Sequence, residues 1–163
     1  MTPVPGRMQV IDAGSPYPRV IVDYAHTPDA LEKTLAALRP QCRGELICLV
    51  GCGGDRDRGK RGQMGLAAVK GSDRVWFTSD NPRSEDPSAI IHDMLEPLKD
   101  PNSSRVHRQA DRAKAIAEAI ESAGADDILL IAGKGHEQTQ EINGEFLPFS
   151  DFAIVDQLQS GKN

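Results

Sequence analysis

Four polar stretches of this 163-residue sequence hold residues that could do chemistry: DYAHTP (23–28), GCGGDRDR (51–58), DNPR (80–83) and GKGHE (133–137). Arg83 offers a planar guanidinium fork that matches a carboxylate. Arg56 offers a second one from another stretch. Asp80 and Glu137 can accept hydrogen bonds from an ammonium group. Pro82 stiffens its loop and restricts Asn81 before it, which suits a site that must hold groups in place. If their loops converge, two guanidiniums and two carboxylates would suit an amino acid with extra charged ends. The plain alternative is that Asp80 and Arg83 pair with neighbours and cap a turn. Residue types and order leave both readings open. His26 sits beside a helix start, a place that favours anions, and a purely structural role for it is equally open.

Other patterns carry less. Gly54, Gly59 and Lys60 match most of a phosphate-binding loop, but the next residue is Arg61 where Ser or Thr should ligate magnesium. Asp55 and Asp57 would also put carboxylates where a triphosphate must lie. A salt-bridged surface loop is the competing reading. No glycine fingerprint for a dinucleotide follows the first strands, and GCGG is a weak match. No Ser-His-Asp or Cys-His arrangement is visible from spacing. His92 falls in a helix and His107 in a weak strand, and both read as surface or core residues. The three cysteines, Cys42, Cys48 and Cys52, have neither disulfide nor zinc spacing, and Cys48 reads as core.

In open α/β sheets, ligands sit outside the carboxyl ends of the strands, so the elements around these stretches matter. Short strands are expected at 8–11 and 19–22, around the turn AGSPYP. Thr27 reads as an N-cap with Pro28 in the first turn, and Leu31, Leu35 and Leu38 form one helix face ended by Pro40. Residues 46–50 are a continuous apolar strand, buried on both faces. A glycine-rich loop and a helix over about 61–69 follow. The next strand is 75–78. Asp86-Pro87 starts a helix with Ile90, Ile91, Met94 and Leu95 inward. A weak strand at 105–108 precedes a helix closed by Gly124. Residues 128–132 are the most apolar strand. Asn143-Gly144 signals a hairpin between 140–142 and 145–147. Ser150 caps a last helix carrying Phe152, Ile154, Val155 and Leu158, and the tail 160–163 reads as frayed. The fold class is therefore α/β: a Rossmann-like, mostly parallel sheet flanked by helices, with a short antiparallel hairpin near the C-terminus.

Length allows one domain, 1–163, with a real core. The chain carries 24 acidic and 19 basic residues, a net charge of −5, which argues against a nucleic-acid module. No run of about eighteen apolar residues exists to span a membrane, and the start lacks a signal-peptide pattern. A reduced, cytoplasmic protein is the expectation.

Taken together, PGRM (5–8), VDYAHTPDAL (22–31), GCGGDRDRGKR (51–61), TSDNPR (78–83), AGKGHE (132–137) and PFSD (148–151) resemble the C-terminal domain of the Mur ligases, most of all the diaminopimelate-adding members. The motifs run in the family's order over nearly the whole chain. DNPR and GKGHE together are specific, and either alone is weak. The resemblance implies a ligase that joins meso-diaminopimelate to UDP-N-acetylmuramoyl-L-alanyl-D-glutamate in peptidoglycan synthesis. ATP phosphorylates the glutamate carboxylate, and the incoming amine attacks the acyl phosphate. It implies diaminopimelate contacts at Arg56, Asp80, Asn81, Pro82, Arg83, Gly133 and Glu137, with Arg83 on the distal carboxylate. It implies nucleotide-side residues at Arg7, Asp23 and His26.

Two departures qualify it. The family's UDP-sugar domain and its central ATPase domain, which carry the G-K-T/S loop and the magnesium ligands, are absent from the sequence. ATP and Mg2+ would be bound mainly there, and no catalytic or metal-binding residue is expected in this domain. It should not ligate alone. Gly62 also stands where the family usually has proline, which loosens a helix start. Alternatives are a lysine-adding or other Mur-like domain, disfavoured by DNPR, and a stand-alone module binding an amino acid or nucleotide.

Overall fold

The central strands are buried along almost their whole length, with successive residues facing opposite cores, and that alternation builds a three-layer molecule. In the computed structural model, which describes residues 8–160, the strands are β1 (Gln9–Ile11), β2 (Arg19–Asp23), β3 (Leu46–Cys52), β4 (Arg74–Ser79), β5 (Val106–Arg108) and β6 (Ile128–Ala132). They form one sheet in the order β1-β2-β6-β3-β4-β5, parallel except for the edge pair β1 and β2. The hairpin strands β7 (Thr139–Ile142) and β8 (Glu145–Pro148) form a separate two-stranded sheet. Five α-helices lie among the described residues: α1 (Pro28–Leu38), α2 (Gly59–Gly71), α3 (Pro87–Leu95), α4 (Arg112–Ser122) and α5 (Asp151–Ser160). The expected fold class is the one observed.

Ile21, Cys48, Val50, Phe77 and Leu130 point to one face, where Leu31, Leu35, Met64, Ile91 and Met94 of α1, α2 and α3 cover them. Val22, Ile47, Leu49, Trp76 and Ile131 point to the other, under Ile116, Ala119 and Ile120 of α4 and Val155 of α5. Each face removes a continuous apolar surface from water, the main force holding such a sandwich. Among the described residues no helix is long and apolar enough to cross a membrane.

The local signals in the sequence explain most element starts. Thr27 accepts from the Ala30 backbone, Asp86 from that of Ser88, and the Ser150 hydroxyl from that of Ala153. Asn143 and Gly144 both take positive φ, at 51° and 80°, as a two-residue hairpin turn requires. Three expectations need correction. The second helix begins at Gly59, so Gly62 lies inside its first turn, where a Cβ would press the Pro97 ring at 3.1 Å. Pro40 falls within a short 3-10 turn, Arg39–Gln41, that prolongs α1. Gly124 does not close α4 in a left-handed conformation, because the chain already leaves the helix at extended Ala123. The tail from 161 onward lies outside the described residues.

Strand register brings the chemistry to one edge. Asp23 pairs with Ala132, Val50 with Ala132, and Cys52 with Ser79. Parallel strands in this register open their carboxyl-end loops side by side. The direction of strand addition reverses between β3 and β6, the kind of switch point where such sheets hold ligands.

Candidate functional site

A cleft of about 430 Å³ opens at that switch point. Its lining includes Arg56, Asp80, Asn81, Arg83, Gly133 and Glu137, so six of the seven residues singled out for an amino acid share it. The seventh, Pro82, is buried behind the wall, and its carbonyl lies against Gly54. A Cβ on Gly54 would overlap that carbonyl, so only glycine lets the two loops touch. The contact is sealed by the Gly54 amide donating to the Asn81 carbonyl at 2.7 Å. Gly133 takes φ 110°, a glycine conformation, and its amide donates to the Asp23 carbonyl.

Behind Asp80, Asn81 and Glu137 of the cleft lies a cation that sequence reasoning missed. Lys134 is wholly buried. Its ammonium donates to Asn81 Oδ1 at 2.9 Å, to Glu137 Oε1 at 3.2 Å and to the Thr139 carbonyl at 2.9 Å. Those three bonds use all its protons. Asp80 Oδ1 lies 3.3 Å away, an ion pair without a hydrogen bond of its own. The expected ammonium partner of Asp80 and Glu137 is thus supplied first by the chain itself. Lys134 offsets part of the acidic charge and fixes the three side chains that border the cleft.

Arg83 lines the same cleft. Its Nε donates to Glu141 Oε1 at 3.1 Å and its Nη1 to the Gly54 carbonyl at 2.9 Å. Pairing with neighbours, the plain alternative for Arg83, is therefore real. It also orients the guanidinium toward the cleft, where Nη2 bonds to no described residue. Arg56 and Lys60 line the cleft without an acidic partner among the described residues. The wall thus presents cationic and anionic groups close together, which suits a zwitterionic ligand.

Two buried struts hold the loops, and neither was foreseen. Arg61 in α2 binds Glu85 through both terminal nitrogens, at 2.9 and 2.7 Å, Asp93 at 3.0 Å and the Gly53 carbonyl at 3.1 Å. The Arg61 guanidinium and the Asp55 amide hold the Glu85 carboxyl down to about 2. Arg112 in α4 binds Asp151 of α5 through two nitrogens, with both side chains fully buried. It also donates to the carbonyls of Ser79 and Ala132, the residues just before Asp80 and Gly133.

The remaining candidates sit as follows. His26 is exposed at the cleft rim, with Nδ1 3.0 Å from the Tyr24 carbonyl. Asp23 is not on the cleft wall. It is buried and accepts from the Met8 amide, the Ala25 amide and the Thr34 hydroxyl. Arg7 lies outside the described residues. The glycine-rich loop at 54–60 does not make a phosphate cradle. The amide of Gly54 is taken by Asn81, that of Asp55 by Glu85 and that of Gly59 by Asp57. Burial pushes the Cys52 thiol up to about 12, so it lines the cleft as a neutral group rather than a nucleophile. Among the described residues no cluster of His, Cys, Asp and Glu could hold a metal ion.

The sheet order, the switch-point cleft and the paired charges define the class: an α/β domain with a cleft of mixed charge at the carboxyl ends of its parallel strands. Residues 6–135 match the family described as Mur ligase, glutamate ligase domain, and the chain belongs to that family. A relative from Coxiella burnetii (strain RSA 493 / Nine Mile phase I), UDP-N-acetylmuramoyl-L-alanyl-D-glutamate--2,6-diaminopimelate ligase, is 56% identical over 148 residues, 91% of this chain and 30% of the relative. A Pseudomonas putida protein of the same name is 56% identical over 146 residues, 90% of this chain and 29% of that one. A solved structure of a ligase of that name superposes with a TM-score of 0.90 at 46% identity, over 99% of this chain and 32% of its own. The chain spans about a third of the length of these relatives.

Proposed function

We propose that this chain is the amino-acid-binding domain of an ATP-dependent ligase that joins meso-diaminopimelate to UDP-N-acetylmuramoyl-L-alanyl-D-glutamate. The observation that carries the reading is the convergence of Arg56, Asp80, Asn81, Arg83, Gly133 and Glu137 on one cleft. The names of the relatives point the same way.

In this reading Arg83 takes the distal carboxylate of diaminopimelate. Asp80 and Glu137 take the ammonium beside it, with Asn81 holding the Glu137 carboxylate in place, and Arg56 a carboxylate from the β3 loop. The far end of the ligand is left with a free amine. That nitrogen attacks the carbonyl carbon of the glutamyl phosphate formed from ATP. A C–N bond forms, phosphate leaves, and the nitrogen sheds a proton. The phosphate cradle and Mg2+ belong to the rest of the ligase, since the amides of Gly54, Asp55 and Gly59 are already engaged. His26 is the nucleotide-side residue of this chain, and Arg7 has the same assignment from resemblance. Asp23 serves that side indirectly, by holding the backbone before His26. A cytoplasmic site of action comes with the reading, because ATP and a UDP-linked acceptor are its co-substrates.

Lysine lacks the distal carboxylate. A site built to bond a group rejects an analogue without it by roughly 10⁴-fold. The test is the ratio of kcat/KM for meso-diaminopimelate and L-lysine in the complete ligase. Arg83→Ala should collapse that ratio. An unchanged ratio would remove Arg83 from the site. An NMR titration of the 163-residue chain with both amino acids and ATP would show whether the domain alone carries the preference.

A further inference from the structure

The backbone at Arg83 is left-handed, at φ 54°, which an arginine adopts only when its surroundings impose it. The imposing element is the β7–β8 hairpin. The Arg83 amide donates to the Glu141 carbonyl at 2.9 Å, and the Asn143 amide donates to the Arg83 carbonyl at 2.8 Å. Arg83 thereby forms a parallel bridge to Ile142. The Glu141 amide donates to Asn81 Oδ1 at 3.0 Å, and Gln140 Nε2 donates to the Asp80 carbonyl at 2.8 Å. Residues 140–143 are therefore stitched along the whole DNPR loop.

One side-chain contact in this seam is different in kind. Glu141 Oε1 accepts from Arg83 Nε at 3.1 Å, with both side chains partly buried. The Gly54 carbonyl takes Nη1 from the other side. A free arginine samples many rotamers, and a ligand must freeze them on binding. Held from two sides, this guanidinium is frozen in advance and presents one remaining edge to the cleft. We infer that Glu141 is a positioning residue: it acts through Arg83 to set the preference of the cleft for a ligand with a distal carboxylate. The inference rests on the reading that Arg83 takes that carboxylate. Glu141 also brings a negative charge close to the incoming one. Its benefit is therefore one of aim, and it depends on the acceptor oxygen more than on the charge.

The test uses the complete ligase with Glu141→Ala and Glu141→Gln. In Glu141→Ala the KM for meso-diaminopimelate should rise ~10-fold, the value of immobilising one long side chain. kcat and the KM for L-lysine should stay near wild type, because neither depends on the aim of Arg83. Glu141→Gln keeps an acceptor oxygen and should restore the diaminopimelate KM. The Arg83 Nε–H resonance should be sharp and slow to exchange in the wild-type chain, broaden in Glu141→Ala and sharpen again in Glu141→Gln. An unchanged diaminopimelate KM in Glu141→Ala would overturn the inference. So would losses equal for both amino acids, or a glutamine variant as impaired as the alanine one. Failure of the underlying reading shows separately, as an Arg83→Ala enzyme that still prefers diaminopimelate.

Discussion

Arg61 is buried while its partner Glu85 is partly open to water, and this asymmetry gives the site a definite acid response. The Glu85 carboxyl sits at about 2 in the folded chain against an ordinary 4.5. Its pKa is depressed, so between those values the unfolded chain binds more protons than the folded one. The contribution of the pair is complete above pH 4.5 and is lost as pH falls through about 2. Urea midpoints followed across that window should fall more steeply for the wild type than for Glu85→Gln, with parallel curves counting against the pair. Solvent at Glu85 keeps the effect modest. Arg61, Arg112 and Asp151 were legible in principle. Arg61 precedes Met64 and Ala68 by three and seven positions, Arg112 precedes Ala115, Ile116 and Ala119 by three, four and seven, and Asp151 precedes Val155 by four. A charge at a core-facing helical position marks a buried pair. Lys134 had a weaker signal, a lysine between two glycines after the most apolar strand.

At the scale of elements, the site depends on close contact between loops that leave different strands. Gly54→Ala places a methyl on the Pro82 carbonyl and must part the β3 and β4 loops. It should cost ~1–3 kcal/mol of stability, the usual range for forced overpacking, and weaken diaminopimelate binding. Gly124→Ala, with open space and an ordinary backbone angle, is the control and should be close to neutral in the same urea titration. A Gly54→Ala chain as stable as that control would dissolve the account of the loop contact. Caps and turns were readable because their chemistry is local: Thr27 with Pro28, Asp86 with Pro87, Ser150, and Asn143 with Gly144. The start of α2 was not, since Arg58 makes no side-chain cap there. Nor was the docking of the hairpin on DNPR, which joins residues some sixty positions apart.

At the scale of the whole molecule, the alternation of strands and helices announced the α/β class but not the order of its sheet. Nothing local says that β6, late in the sequence, lies between β2 and β3. That placement decides how the domain can come into being. A chain emerging from the ribosome has made β1 to β5 well before Ile128, yet its sheet is in two pieces. β2 and β3 each wait with an unpaired inner edge, and the apolar faces of both pieces stay wet. Exposed edges of this kind invite wrong partners during synthesis. A chain ended at Asp127 should therefore show no cooperative thermal transition and should aggregate, whereas the full chain melts in one step. A cooperative melt of the shortened chain would mean the two pieces close without their keystone. The strand laid down near the end is the one that turns two fragments into a domain, so assembly here is a late event rather than a gradual one.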